Sequence, residues 1–190
     1  MNRNLRGLIV YGTSFGSTRE TSEEIAKVLN EENFDMKIVN IQEEKIKDIS
    51  DYSLVIVGSS LANCRWNGKA EDFLKKFQKE FKNKNLALFV SSLKPIAEKE
   101  GNKDEIAKIQ KIALDDKISR YGLKPIMTGL FGGVLDYNKM GFLTRKTMEL
   151  AFKSRLENNG FKEIRSGVYD LRDWNEIRTW TGELAKKTNK

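Results

Sequence analysis

The chain has 190 residues, of which 39% are hydrophobic and 32% charged, and its formal charge is +7. That length suits one domain around one sizeable core, and no apolar run approaches the ~20 residues of a bilayer span, so a transmembrane helix is excluded. One cysteine, Cys64, and the complete absence of histidine remove an internal disulfide, the Ser–His and Cys–His nucleophile pairs, the common zinc sites and histidine-ligated haem. Carboxylates, Lys, Tyr or a bound cofactor are left to carry chemistry, and redox chemistry by an organic cofactor survives this cut best. The opening MNRNLRGLIV lacks the apolar core and cleavage site of a signal peptide, so a cytoplasmic chain is expected. The positive charge favours an acidic partner, such as an anionic membrane surface, or else is a surplus of solvated lysines. Without zinc spacing or an RNA-binding motif, no nucleic-acid partner is expected.

Strand and helix signals alternate along the chain. A short apolar strand is expected near 7–13, and the hydroxyl- and glycine-rich turn that follows it runs into a helix near 18–32. In that turn Thr13, Ser14, Ser17 and Thr18 offer hydroxyls, Phe15 and Gly16 lie between them, and the first helical N–H groups face whatever anion sits there. It carries no Lys and only one inner glycine, so it is neither GxxxxGK[ST] nor GxGxxG. An uncharged loop backed by a helix N-terminus suits a phosphate monoester better than a triphosphate; the alternative is a connection that holds no ligand.

Further strands are expected near 35–41, 53–59, 86–92 and 125–131, and helices near 68–82, 102–121 and 173–187, the last opened by Asp173 as N-cap with Glu176 three residues on. Strands this apolar read as buried on both faces, which predicts an α/β, doubly wound five-stranded parallel sheet. Ligands in such sheets sit at the carboxyl ends of the strands beside the switch point between strands 1 and 3. The loops 13–18, 59–68 and 91–95 therefore converge on one crevice. Gly132 to Gly167 exceeds what a minimal five-strand fold needs, and its size asks for a reason. Within it, 142–158 mixes Phe142, Leu143, Met148, Leu150, Phe152 and Leu156 with Arg145, Lys146, Lys153 and Arg155. This is read as a basic amphipathic helix that lies on an anionic membrane surface or covers a hydrophobic substrate, or else packs on the sheet edge.

The run Thr13 to Thr18 resembles the T-x-T-G-x-T phosphate loop of flavodoxins, with Phe15 departing from the pattern and leaving backbone contact at that position. The resemblance extends along nearly the whole chain and is nearest to the menaquinone-dependent protoporphyrinogen oxidases of that flavodoxin-like family. They share its length, GSS-like residues after the third strand and a D-W-x-x-[IV] start to the last helix, here Asp173 to Ile177. The resemblance implies strand order 2-1-3-4-5 with a helical insert, FMN as cofactor, and oxidoreductase activity passing electrons from a hydrophobic tetrapyrrole to a quinone. The alternative it leaves open is an electron carrier between redox proteins.

On that footing Ser60, Leu61, Ala62 and Asn63 supply backbone to the flavin ring, an Ala62–Asn63 carbonyl faces N5, and Trp66 stacks on the ring or packs beside the next helix. Ser91, Ser92 and Leu93 form the third loop. Lys94 offsets charge on the reduced ring or lies exposed, and Gly132, Gly133 and Tyr137 begin the insert where a substrate enters. Cys64 reads as a small filler, since no His activates it.

Overall fold

Five apolar runs form the parallel sheet at the centre of the molecule, of which a computed structural model describes residues 5–14 and 16–189. Strands β1 (Leu5–Gly12), β2 (Phe34–Asn40), β3 (Leu54–Ala62), β5 (Asn85–Ser92) and β6 (Met127–Gly132) lie in the order β2-β1-β3-β5-β6, and the two-residue β4 (Arg65–Trp66) runs antiparallel to the end of β3. The predicted order is therefore observed, with the switch point between β1 and β3. In register, Gly12 stands beside Ser59 and Ser60 beside Ser91, so three strand ends come level at one edge.

Alternation along each strand divides the core between two faces. Leu8, Val10, Val55, Val57, Leu88 and Val90 pack under Phe73, Leu74 and Phe77 of helix α2 (Gly68–Phe77) and under Ala113 and Leu114. Ile9, Ile56, Phe89 and Phe131 pack under Ile25 and Leu29 of α1 (Ser17–Glu31) and Ile177 and Leu184 of α7 (Trp174–Thr188). Asp173 caps α7 as expected, its Oδ1 accepting from the Asn175 and Glu176 N–H groups.

Three departures from expectation concern the site. After the third loop comes a short helix that was not expected, α3 (Lys94–Lys99), opened by Pro95 because proline's fixed φ and missing N–H suit a first turn. The long helix expected over 102–121 is α4 (Lys103–Gln110) and α5 (Asp116–Tyr121) joined by a π-helical turn at 111–115. The segment after β6 holds more than the expected helix. Its strands β7 (Val134–Asp136), β8 (Glu163–Arg165) and β9 (Val168–Asp170) form a second, antiparallel sheet in the order β7-β9-β8, with α6 (Phe142–Asn158) between β7 and β8. A third core fills the space between α6, this small sheet and α3, built on Ile96, Leu135, Tyr137, Leu156, Tyr169 and Leu171.

Candidate functional site

The carboxyl end of β1 passes through Thr13 and Ser14 into Gly16, whose φ of 103° lies in the left-handed region that glycine enters without a Cβ clash. Phe15 lies outside the described residues. The Thr13 hydroxyl accepts the Gly16 N–H at 2.8 Å and closes the turn, while the Ser14 N–H donates to Ser60 Oγ at 3.1 Å and the two serine hydroxyls stand 3.1 Å apart. The loop after β1 is thus fastened to the loop after β3 by side chains that both contribute to the strand ends. Helix α1 begins at once with Ser17 and Thr18 buried in its first turn, where N–H groups have no partner within the helix.

Ser17, Ser60, Leu61, Ala62, Asn63, Ser91, Ser92, Leu93 and Gly133 come together around one cavity of about 310 Å³ at the ends of β3 and β5. Most of the residues expected from three separate loops therefore share one space. Of its hydroxyls, Ser92 Oγ donates to the Phe131 carbonyl at 3.3 Å, whereas Ser91 Oγ is buried without a hydrogen-bond partner; Thr18 Oγ1, in the first turn of α1 next to Ser17 but outside the cavity's lining, is buried without one as well. A buried hydroxyl left so costs about 1–3 kcal/mol, and both are groups that a bound ligand can satisfy.

The far wall of the cavity comes from the insert and from α4, and only the insert was expected there. Val134, Leu135, Met140, Thr144, Met148 and Phe152 reach it from β7, the turn after it and α6, opposite Glu105 and Ile109 of α4. Helix α6 is held across the opening by Arg155, whose Nε donates to Glu100 at 2.8 Å and whose guanidinium also reaches Glu105 at 2.7 Å. Arg155 in turn holds the Glu100 carboxyl below its ordinary pKa. Lys139, one turn before α6, reaches back to the loop after β1: a Cβ at position 16 would lie 3.3 Å from its Nζ. A cover from 142–158 was one of the expected alternatives, but no sequence pattern joins residues as far apart in the chain as Lys139 and Gly16, so this lysine was not legible.

Trp66 does not line the cavity, which corrects the expectation of ring stacking. Asn63 and Cys64 both have positive φ, 50° and 58°, and make a two-residue hairpin that returns the chain along β3, pairing Leu61 with Trp66. Trp66 is consequently 5% exposed in the core beneath α2, and its indole N–H donates to the Ala113 carbonyl at 2.6 Å in the π-helical turn. Gly132 is also structural, because a Cβ there would fall 1.9 Å from the Leu171 carbonyl oxygen; Gly133 alone of that pair faces the cavity. Lys94 is engaged by Glu98 at 2.9 Å and Glu176 at 3.4 Å. Tyr137 lies in the third core, stacked edge-on to Tyr169 at 6.2 Å, where burial and the neighbouring Tyr169 push its hydroxyl up to about 12. Exposed Cys64 sits at the cavity's rim.

A sheet in this order, with a hydroxyl-lined cavity at its switch point, is the architecture of flavodoxins, and the chain belongs to that family: the flavodoxin domain model matches residues 8–159. Among curated proteins it is similar to protoporphyrinogen IX dehydrogenase [quinone] of Escherichia coli (strain K12), with 21% identity over 187 residues and 98% of each chain covered. Among solved structures it is similar to a flavodoxin from the domain Archaea, at TM-score 0.53 and 15% identity over 98% of this chain and 100% of that one. A flavodoxin of Streptococcus pneumonia TIGR4 gives TM-score 0.52 at 12% identity, covering 97% of both chains. Among the described residues, no helix is long and apolar enough to cross a membrane.

Proposed function

We propose that the cavity holds FMN and that the chain is an FMN-dependent oxidoreductase of the kind its Escherichia coli relative is named for, taking electrons from a flat hydrophobic tetrapyrrole and passing them to a quinone. The observation that carries this reading is the roofed cavity. Its floor is hydroxyl-bearing strand ends, the buried Ser91 hydroxyl of its lining lacks a partner, and its roof is apolar side chains from a segment inserted after the last strand of the sheet. The volume falls at the lower end of the ~300–1,000 Å³ usual for small-molecule sites.

When bound, the flavin ring supplies the electron- and hydride-accepting chemistry. The chain's own residues bind and shield. In this reading Thr13, Ser14, Phe15, Gly16, Ser17 and Thr18 receive the phosphate at the N-terminus of α1, where helix dipole and unpaired N–H groups favour an anion. The backbone of Ser60 to Asn63 and Ser91 to Leu93 borders the ring, and Gly133 leaves room beside it. Met140, Met148 and Phe152 exclude water and offer an apolar face to a flat donor. Glu105, the carboxylate on the cavity wall, is bound to Arg155, so no acid–base role is assigned to it. Because a quinone acceptor resides in the membrane, this reading expects a cytoplasmic protein that meets the anionic inner surface through α6.

The absorbance spectrum of the purified chain, followed by stopped-flow mixing of its reduced form with a menaquinone analogue, tests the reading. A flavin spectrum and rapid reoxidation by the quinone are expected. A flavin that ignores quinone but exchanges electrons quickly with a partner redox protein would favour a flavodoxin-type carrier instead.

A further inference from the structure

We infer that Lys139, carried by the insert, is a phosphate-binding residue, and that the FMN phosphate fastens the roof of the cavity to the loop after β1. The inference rests on the flavin reading above. The loop itself supplies no cation between Thr13 and Thr18, and a phosphate monoester brings nearly two negative charges, as phosphorylated side chains do. Two arginines near this end of α1 are turned elsewhere. Arg19 donates to Glu23 at 2.9 Å, and Arg172 to Glu20 at 2.6 Å and to Asp170.

Lys139 is placed differently. Its ammonium stands over Gly16, 3.3 Å from where a Cβ would project, at the residue that turns the chain into α1. The turn that carries it is held by the insert's own bonds: the Asp136 carboxylate accepts the Asn138 N–H at 3.0 Å, and Asn138 Nδ2 donates to the Ser166 carbonyl at 2.8 Å. Asp136 also draws Lys139, at 4.0 Å, but lies nearer to Arg165 at 3.2 Å. A phosphate at the loop would thus meet an ammonium that already stands at the turn into α1. The Lys139 side chain is about half exposed, so replacing it removes charge without opening a core. Since α6 starts three residues later at Phe142, a bond from Lys139 to the phosphate would hold the roof over the ring.

Riboflavin, which has the ring but no phosphate, separates this role from ring binding. Binding of FMN and of riboflavin to the wild-type chain, Lys139→Met and Lys139→Arg is measured by quenching of flavin fluorescence at low and high salt. Lys139→Met should weaken FMN by roughly ten- to a hundredfold, the range for losing one charge-assisted hydrogen bond, leave riboflavin unchanged, and flatten the salt dependence; Lys139→Arg should restore most of the loss. FMN, but not riboflavin, should protect residues 139–158 of the wild-type chain from limited proteolysis, and that protection should vanish in Lys139→Met. Equal weakening of both flavins, or none, would overturn the role of Lys139 while sparing the flavin site. A wild-type chain that binds neither flavin would overturn both.

Discussion

Thr18 and Trp66 are opposite cases in the balance between stability and binding. Thr18 Oγ1 is fully buried without a partner, so Thr18→Val, which keeps the shape and removes the hydroxyl, should raise the stability of the flavin-free chain by about 1 kcal/mol. The same change should weaken FMN. Urea denaturation of the flavin-free form together with a flavin titration checks both signs, and loss of stability with undiminished affinity would remove Thr18 from the site. Trp66 makes the opposite case. Trp66→Leu should cost about 2–4 kcal/mol by leaving a cavity under α2 and stranding the Ala113 carbonyl, while the emission of bound flavin stays as it was. The denaturation midpoint and the flavin emission spectrum report these separately.

The difference between these residues explains how far the sequence could be read. Ser60, Ala62, Asn63, Ser91 and Leu93 line one cavity, as the convergence of their loops suggests, because a residue at the carboxyl end of a parallel strand has little freedom about where it goes. Trp66 lies beyond a hairpin whose two left-handed residues, Asn63 and Cys64, carry no glycine to announce it. The register of Leu61 with Trp66 then sends the indole inward.

At the scale of elements, α6 is the piece whose two faces serve different purposes. Met148, Phe152 and Leu156 pack inward on the third core, while Phe142, Leu143 and Leu150 are 68%, 79% and 89% exposed among Arg145, Lys146 and Lys153. The expected single apolar stripe is thus divided, and the inward half meets the small sheet rather than the edge of the main one. Strands β7, β8 and β9 escaped the sequence reading because each has three residues, too few for alternation to register. The outward half predicts weak membrane affinity, gaining on the order of 1 kcal/mol per basic residue near an anionic surface. Vesicles with anionic lipid should retain the chain at low salt and release it at high salt, and Leu143→Ser with Leu150→Ser should abolish retention without changing flavin content. Retention that ignores both salt and these substitutions would rule out this face.

The anchor of α6 predicts a pH dependence. Hydrogen bonding to Arg155 lowers the Glu100 pKa in the folded chain, so the contribution of this contact is fully present above the unfolded carboxylate value of about 4.3 and fades as pH falls through the lower folded value. Hydrogen exchange over 142–158 should stay slow from neutral pH down to about 5 and speed up below that range, once the intrinsic pH dependence of exchange is corrected for. Glu100→Gln should loosen the same residues by about 1 kcal/mol at neutral pH while the main sheet keeps its protection.

For the molecule as a whole, the main sheet builds the floor of the cavity and the segment 132–167 closes it, so cofactor and roof are expected to be coupled. The central claim is that the loop Thr13 to Thr18 and the strand ends beside it hold FMN. Titration of the flavin-free chain with FMN, followed by the quenching of flavin fluorescence, tests it most directly. We predict saturation at about one equivalent per chain, and marked loss of affinity in the double variant Gly16→Val, Thr18→Ala, because valine is strained at a φ of 103° and the alanine lacks the buried hydroxyl. Absence of saturable binding, or a double variant that binds FMN as tightly as the wild-type chain, would contradict the account.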